Sequence, residues 1–165
     1  MKKKILFWIE SGTMNIFGVA KYLQNDINAE FFAIYDVTDK PKKFFQEQKL
    51  VNFQKSWFYH DFIQKKATNP DLNYLKEFEK KYGINLLKLA LNERVYLFNE
   101  FYNFSTDEII SILDQECKFF ENVIEEVKPD FVIMVTPYFH HNEIFFQLCK
   151  AKGIKVLELE PTRFP

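Results

Sequence analysis

Apolar residues run almost unbroken over positions 4–9, and again between Pro129 and Pro137. The second run is followed by an amphipathic stretch ending at Gly153 and by a third short apolar run over 154–160. Short continuous apolar runs separated by a helix-period segment read as buried parallel strands joined by a helical crossover. The pattern therefore predicts an α/β chain, with the 4–9 run as a central strand.

Other elements follow from the same periodicities. Small and polar residues over 10–15 form a turn from strand to helix, and Ile16, Val19, Ala20 and Leu23 recur at helical spacing. Gly18 inside that helix predicts close packing of the helix on the sheet. Positions 29–37 predict a second strand, and Asp36, Thr38, Asp39 and Pro41 mark a turn into a short helix over 42–48. A short third strand is expected over 50–53. From about 56 to 104 the strand-helix alternation lapses into an aromatic-rich, mostly helical insertion. There Asn69, Pro70 and Asp71 predict a helix start with proline at the first helical position, Leu72, Leu75 and Phe78 its apolar face, and Gly83 its stop. A further short helix is expected over 84–91, and 95–104 reads as strand or loop. Ser105 and Glu108 have capping-box spacing. Ile109, Leu113, Cys117, Phe120, Ile124 and Val127 then share one helical face until Pro129. Together these predict one three-layer, doubly wound, mainly parallel sheet of about four to six strands carrying a helical insertion.

Composition narrows the class. In 165 residues, a hydrophobic content of 47% with 20 Phe and 8 Tyr is ample for one core and predicts one globular domain without a disordered arm. The 22 basic and 23 acidic residues are interleaved, giving a formal net charge of -1, so nothing marks a surface for nucleic acid. Lys2, Lys3 and Lys4 precede an apolar run that Glu10 stops short of signal-peptide length, and no run is long enough to span a bilayer. A cytoplasmic protein is expected, and peripheral membrane association is compatible with this. Cys117 and Cys149 fall on separate predicted helices without metal or redox spacing and read as buried thiols in a reducing compartment.

In an open doubly wound sheet, ligands bind beyond the carboxyl ends of the strands where strand order reverses. Two loops qualify. The loop after the first strand carries Ser11, Gly12 and Thr13, whose hydroxyls and backbone N–H groups suit an anion or a sugar hydroxyl, or form an ordinary tight turn. It matches neither a dinucleotide nor a P-loop pattern. The loop after the 131–136 strand carries Tyr138, His140 and His141. Histidine exchanges protons near neutral pH, so His141 or His140 is a candidate catalytic base; the alternative is one capping and one solvated histidine. No metal is expected, because adjacent helical residues diverge by roughly 100° and no third ligand has matching spacing. His60 is expected to be partly buried among aromatic neighbours. Near the end, Glu160 falls on or just past a strand, and Arg163 suits a carboxylate or phosphate, or is a solvated loop residue.

The first strand with its small-residue loop, the long helix entering Lys128-Pro129-Asp130-Phe131-Val132-Ile133, the loop with His140 and His141, and Lys152-Gly153-Ile154-Lys155-Val156-Leu157 carry a resemblance. The chain resembles the N-terminal, Rossmann-like half of GT-B glycosyltransferases, most closely those of capsule and surface-polysaccharide biosynthesis. The layout covers most of the chain; the specific likeness is confined to about residues 105–164. It implies that this half binds a glycan or glycolipid acceptor, with the loops at Ser11, Gly12 and Thr13 and at Tyr138, His140 and His141 facing the catalytic cleft. It also implies that the nucleotide sugar binds a C-terminal domain absent from this chain, so that the chain would be a fragment inactive alone and without a cofactor of its own. The other reading is a stand-alone, non-enzymatic α/β ligand-binding or interaction module using the aromatic insertion as a partner surface. A small hydrolase is disfavoured by the absence of a G-x-S-x-G elbow.

Overall fold

The computed structural model describes residues 2–10, 12, 14–64, 69–98 and 102–160. The strands are β1 (Lys3–Glu10), β2 (Ala29–Asp36), β3 (Lys55–Phe58), β4 (Phe131–Val135) and β5 (Lys155–Leu159). The helices are α1 (Asn15–Asp26), α2 (Asp39–Glu47), α3 (Leu72–Tyr82), α4 (Leu86–Leu91), α5 (Arg94–Leu97), α6 (Thr106–Val127) and α7 (His140–Ala151), with a 3-10 turn at Tyr59–Asp61. The strands form one parallel sheet in the order β3-β2-β1-β4-β5, an α/β, Rossmann-like arrangement flanked by helices. Among the described residues, no helix is long and apolar enough to cross a membrane.

The chain divides into two compact units, each described by itself. The first holds residues 1–61, 126–136 and 154–165, and so the whole sheet. β1 is central because it pairs with β2 on one edge and β4 on the other. Both its faces are buried: Ile5, Phe7 and Ile9 join the cluster that α1 and α2 complete through Ile16, Phe17, Ala20 and Phe45, while Leu6 and Trp8 point the other way. That two-sided burial is why the run reads as continuous rather than alternating. Within the cluster the rings of Tyr35 and Phe45 lie 4.6 Å apart and those of Phe17 and Phe45 5.4 Å apart. Asp130 fixes where β4 begins, accepting from Lys4 N–H at 2.9 Å and from Lys3 Nζ at 2.6 Å.

The second unit holds residues 62–125 and 137–153. α6 starts at the expected capping box: Glu108 Oε2 accepts from Ser105 N–H at 2.8 Å, and Glu108 N–H donates back to Ser105 Oγ at 3.3 Å. α6 meets α7 through Phe120 and Phe145, 5.3 Å apart. Glu121 ties α3 to α6, accepting from Tyr74 Oη at 2.6 Å, from Lys81 Nζ at 3.1 Å and from the Tyr82 hydroxyl. α3 ends as expected at Gly83, whose φ of 69° is the left-handed conformation glycine adopts at little cost.

Several expectations are corrected. The third strand is β3, not 50–53: the Gln48 side chain takes up the backbone there, its Oε1 accepting from Leu50 and Val51 N–H and its Nε2 donating to Val51 C=O, which leaves a closed loop with Val51 buried. The insertion accordingly starts after 58, not at 56. Residues 94–97 are helical rather than strand or loop, because Glu93 caps Val95 N–H at 3.0 Å. α3 is capped by Asp71, with Pro70 before the cap instead of at the first helical position. Gly18 does not mark tight packing: a β-carbon there would meet nothing within 4 Å among the described residues. His60 is exposed, not partly buried. Cys117 and Cys149 are free, buried thiols.

Candidate functional site

α7 begins at His140, and its own N-cap residue, Phe139, offers no side-chain acceptor for the first free N–H groups. A carboxylate from elsewhere in the second unit serves instead. Glu93 Oε2 accepts from His140 N–H at 2.7 Å and lies 2.9 Å from His140 Nδ1, while Glu93 Oε1 caps α5. One buried carboxylate thus caps two helix N-termini, where backbone dipoles favour negative charge. Burial pushes the Glu93 carboxyl up, but hydrogen bonds from the His140 ring and from the backbone of Val95 and His140 outweigh it and hold it down at about 2.

The other ring nitrogen of His140 faces a second carboxylate. Nε2 lies 3.0 Å from Glu116 Oε1 and 3.0 Å from the Tyr96 hydroxyl. Glu116 projects from α6 and is fully buried, and the His140 side chain is only 8% exposed. Burial would lower the pKa of this imidazole, yet Glu116 and Glu93 reverse the sign and push it up to about 9. His140 is therefore an imidazolium at neutral pH, able to give a proton but not to take one. The Tyr96 phenol is pushed up by burial and by the nearby Glu116 and Glu93 charges, so it stays neutral.

His141 is half-buried beside this group. Its ring lies 5.3 Å from the His140 ring at 84° and stacks on Phe139 at 5.6 Å. One ligand-type atom each from Glu116, His140 and His141 lie within 4.8 Å of one another. The expected divergence of neighbouring histidines is overcome because His140 opens the helix and Glu116 arrives from a different one. Sequence spacing alone gave no third ligand, since Glu116 is 24 residues from His140.

Of the other expected site residues, Tyr138 lies in the same unit as the histidines and is 56% exposed. Gly12 and Glu160 belong to the sheet-bearing unit. Gly12 sits in the turn after β1, where a β-carbon would meet nothing within 4 Å among the described residues, and Glu160 follows the last residue of β5. Ser11, Thr13 and Arg163 lie outside the described residues.

No family model matches the chain, and no curated protein matches it. Six chains of known structure do. One is the C-terminal domain of a hydrogenase from Pyrococcus furiosus, with a TM-score of 0.50 and 15% identity over 96% of this chain and 92% of that one. At that identity the likeness speaks for the fold alone.

Sequence reasoning passed over Glu93, Glu116 and Tyr96. It also passed over a smaller group in the first unit, at the carboxyl ends of β1, β2 and β3. There Glu10 and Asp36 are register partners and His60 Nε2 lies 3.2 Å from Asp36 Oδ1. The one sequence signal for that group is the position of Glu10, which directly follows the first predicted strand; Asp36 lies inside the second, and His60 follows none of them.

Proposed function

We propose that this chain is the acceptor-binding half of a GT-B-like glycosyltransferase of surface or capsular polysaccharide synthesis, working in the cytoplasm with a second domain that binds the nucleotide sugar. The observation that carries the reading is the sheet order. It reverses between β1 and β4, so Glu10 and Val135 end the two strands that flank the switch point, where open α/β sheets bind ligands. The resemblance over residues 105–164 supports the class of reaction, and the fold is compatible with it. In this reading His141, the more accessible of the two histidines, acts on the acceptor hydroxyl beside His140, which Glu93 and Glu116 hold.

Thermal unfolding of the chain with acceptor glycans and with nucleotide sugars tests this. Glycans are expected to raise the midpoint, as any ligand selective for the folded state does, and nucleotide sugars alone to leave it unchanged. Stabilisation by nucleotide sugars without glycans would sink the proposal.

A second reading, an interaction module, draws on Leu87, Leu91, Leu97 and Phe98, all large apolar residues of the insertion that are more than half exposed. Failure of every glycan to stabilise the chain would favour it.

A further inference from the structure

The group around His140 combines two features that a bare ion pair does not need. First, the ligand-type atoms of Glu116, His140 and His141 converge within 4.8 Å. Second, His140 has divided its two ring nitrogens: Nδ1 is held by Glu93, which also fixes the backbone N–H of the same residue, leaving Nε2 aimed at Glu116. A carboxylate on one imidazole nitrogen is what sets the tautomer and orientation of a metal-bound histidine.

We infer that Glu116, His140 and His141 form a binding site for a divalent first-row transition metal such as zinc, with Glu93 as the residue that orients His140. The distances accommodate it. With bonds of about 2.1 Å to nitrogen and oxygen, tetrahedral ligand atoms stand roughly 3.4 Å apart, so Nε2 and Oε1 need separate by only a few tenths of an ångström. Two imidazoles and one carboxylate suit zinc rather than magnesium or calcium, which prefer oxygen ligands. Three protein ligands also leave a fourth position open, the arrangement of zinc sites that bind water or substrate. The Tyr96 hydroxyl, now 3.0 Å from Nε2, would face that ion.

The site itself does not depend on the transferase reading; only its use on an acceptor hydroxyl rests on it. Were both right, the ion would lower the pKa of a bound hydroxyl.

The test strips the full chain with a chelator and titrates it with zinc in competition with a chromogenic indicator, with elemental analysis for stoichiometry. One ion per chain is expected. His141→Ala and Glu116→Gln should each weaken binding by more than about tenfold, and Glu93→Gln, one step removed from the ion, by about 10- to 100-fold. Cobalt in place of zinc should show the intense visible absorption of a four-coordinate site. His141 is only half-buried, so His141→Ala keeps the test decisive should Glu116→Gln fail to fold. No bound ion, or the same affinity in His141→Ala as in the native chain, overturns the site. Zinc binding without glycan binding upholds the site and removes the transferase; glycan binding to a chain that takes up no zinc does the reverse.

Discussion

Gly18 lies in the first turn of α1 with open space around it and no left-handed φ to require a glycine. A glycine in that setting carries only the entropic disadvantage of its unfolded freedom. Gly18→Ala is therefore expected to stabilise the chain by about 0.5–1 kcal/mol, read as a higher urea midpoint with an unchanged slope. A lower midpoint would mean that the helix packs more closely than its surroundings indicate. The residues of the candidate site divide in the same way between what a sequence carries and what it does not. His140 and His141 stood out because they follow a strand and open a helix, which is a local fact. Glu116 did not, because in sequence it sits between Gln115 and Cys117 on a helix rich in acids, yet it has no exposed surface. Nothing local distinguishes it from the solvated Glu125 on the same helix; only the packing of α6 beside the start of α7 does.

Among the elements, α6 shows how a helix start can be read in advance. The serine-to-glutamate spacing predicted the reciprocal hydrogen bonds that are present, and Tyr102 adds its hydroxyl to the Glu108 carboxylate. Ser105→Ala should cost about 1 kcal/mol, measured by chemical denaturation, and Ser105→Asp should restore most of it. Equal stability of Ser105→Ala and the native chain would show that Tyr102 and Glu108 hold the helix start without the serine. The strands were legible for a related reason. β1 and β4 are buried on both faces, so their runs are continuous, whereas β3 is a four-residue edge strand in which Lys55 and Ser56 are exposed and only Trp57 is buried. Such a strand has no pattern to distinguish it from a loop. The misplacement at 50–53 came from Val51, whose burial is supplied by a side-chain amide closing the chain on itself rather than by strand pairing.

The molecule as a whole should lose stability in acid, and Glu121 shows why. Its burial pushes the carboxyl up, but hydrogen bonds from Tyr74, Tyr82 and Lys81 outweigh that and hold it below the ordinary carboxylate range. A folded-state pKa below the unfolded one gives stability that is complete above the unfolded value, about 4.3, and is lost as pH falls through the folded value. Denaturation midpoints should thus fall on acidification below about pH 5, and the fall should be shallower in a Tyr74→Phe, Tyr82→Phe variant that is already weaker at neutral pH. An unaltered acid slope in that variant would place the sensitivity elsewhere.

The sheet order has a consequence in time. β1 is made before either of its partners, and its two edges are served by strands synthesised far apart: β2 follows within a few dozen residues, but β4 begins only at Phe131. At roughly 5–20 residues per second, the ribosome takes on the order of 10 s to deliver that second partner. Throughout that interval an apolar strand waits with one side open, and the emerging chain depends on α1 and β2 to keep it from pairing with a neighbour.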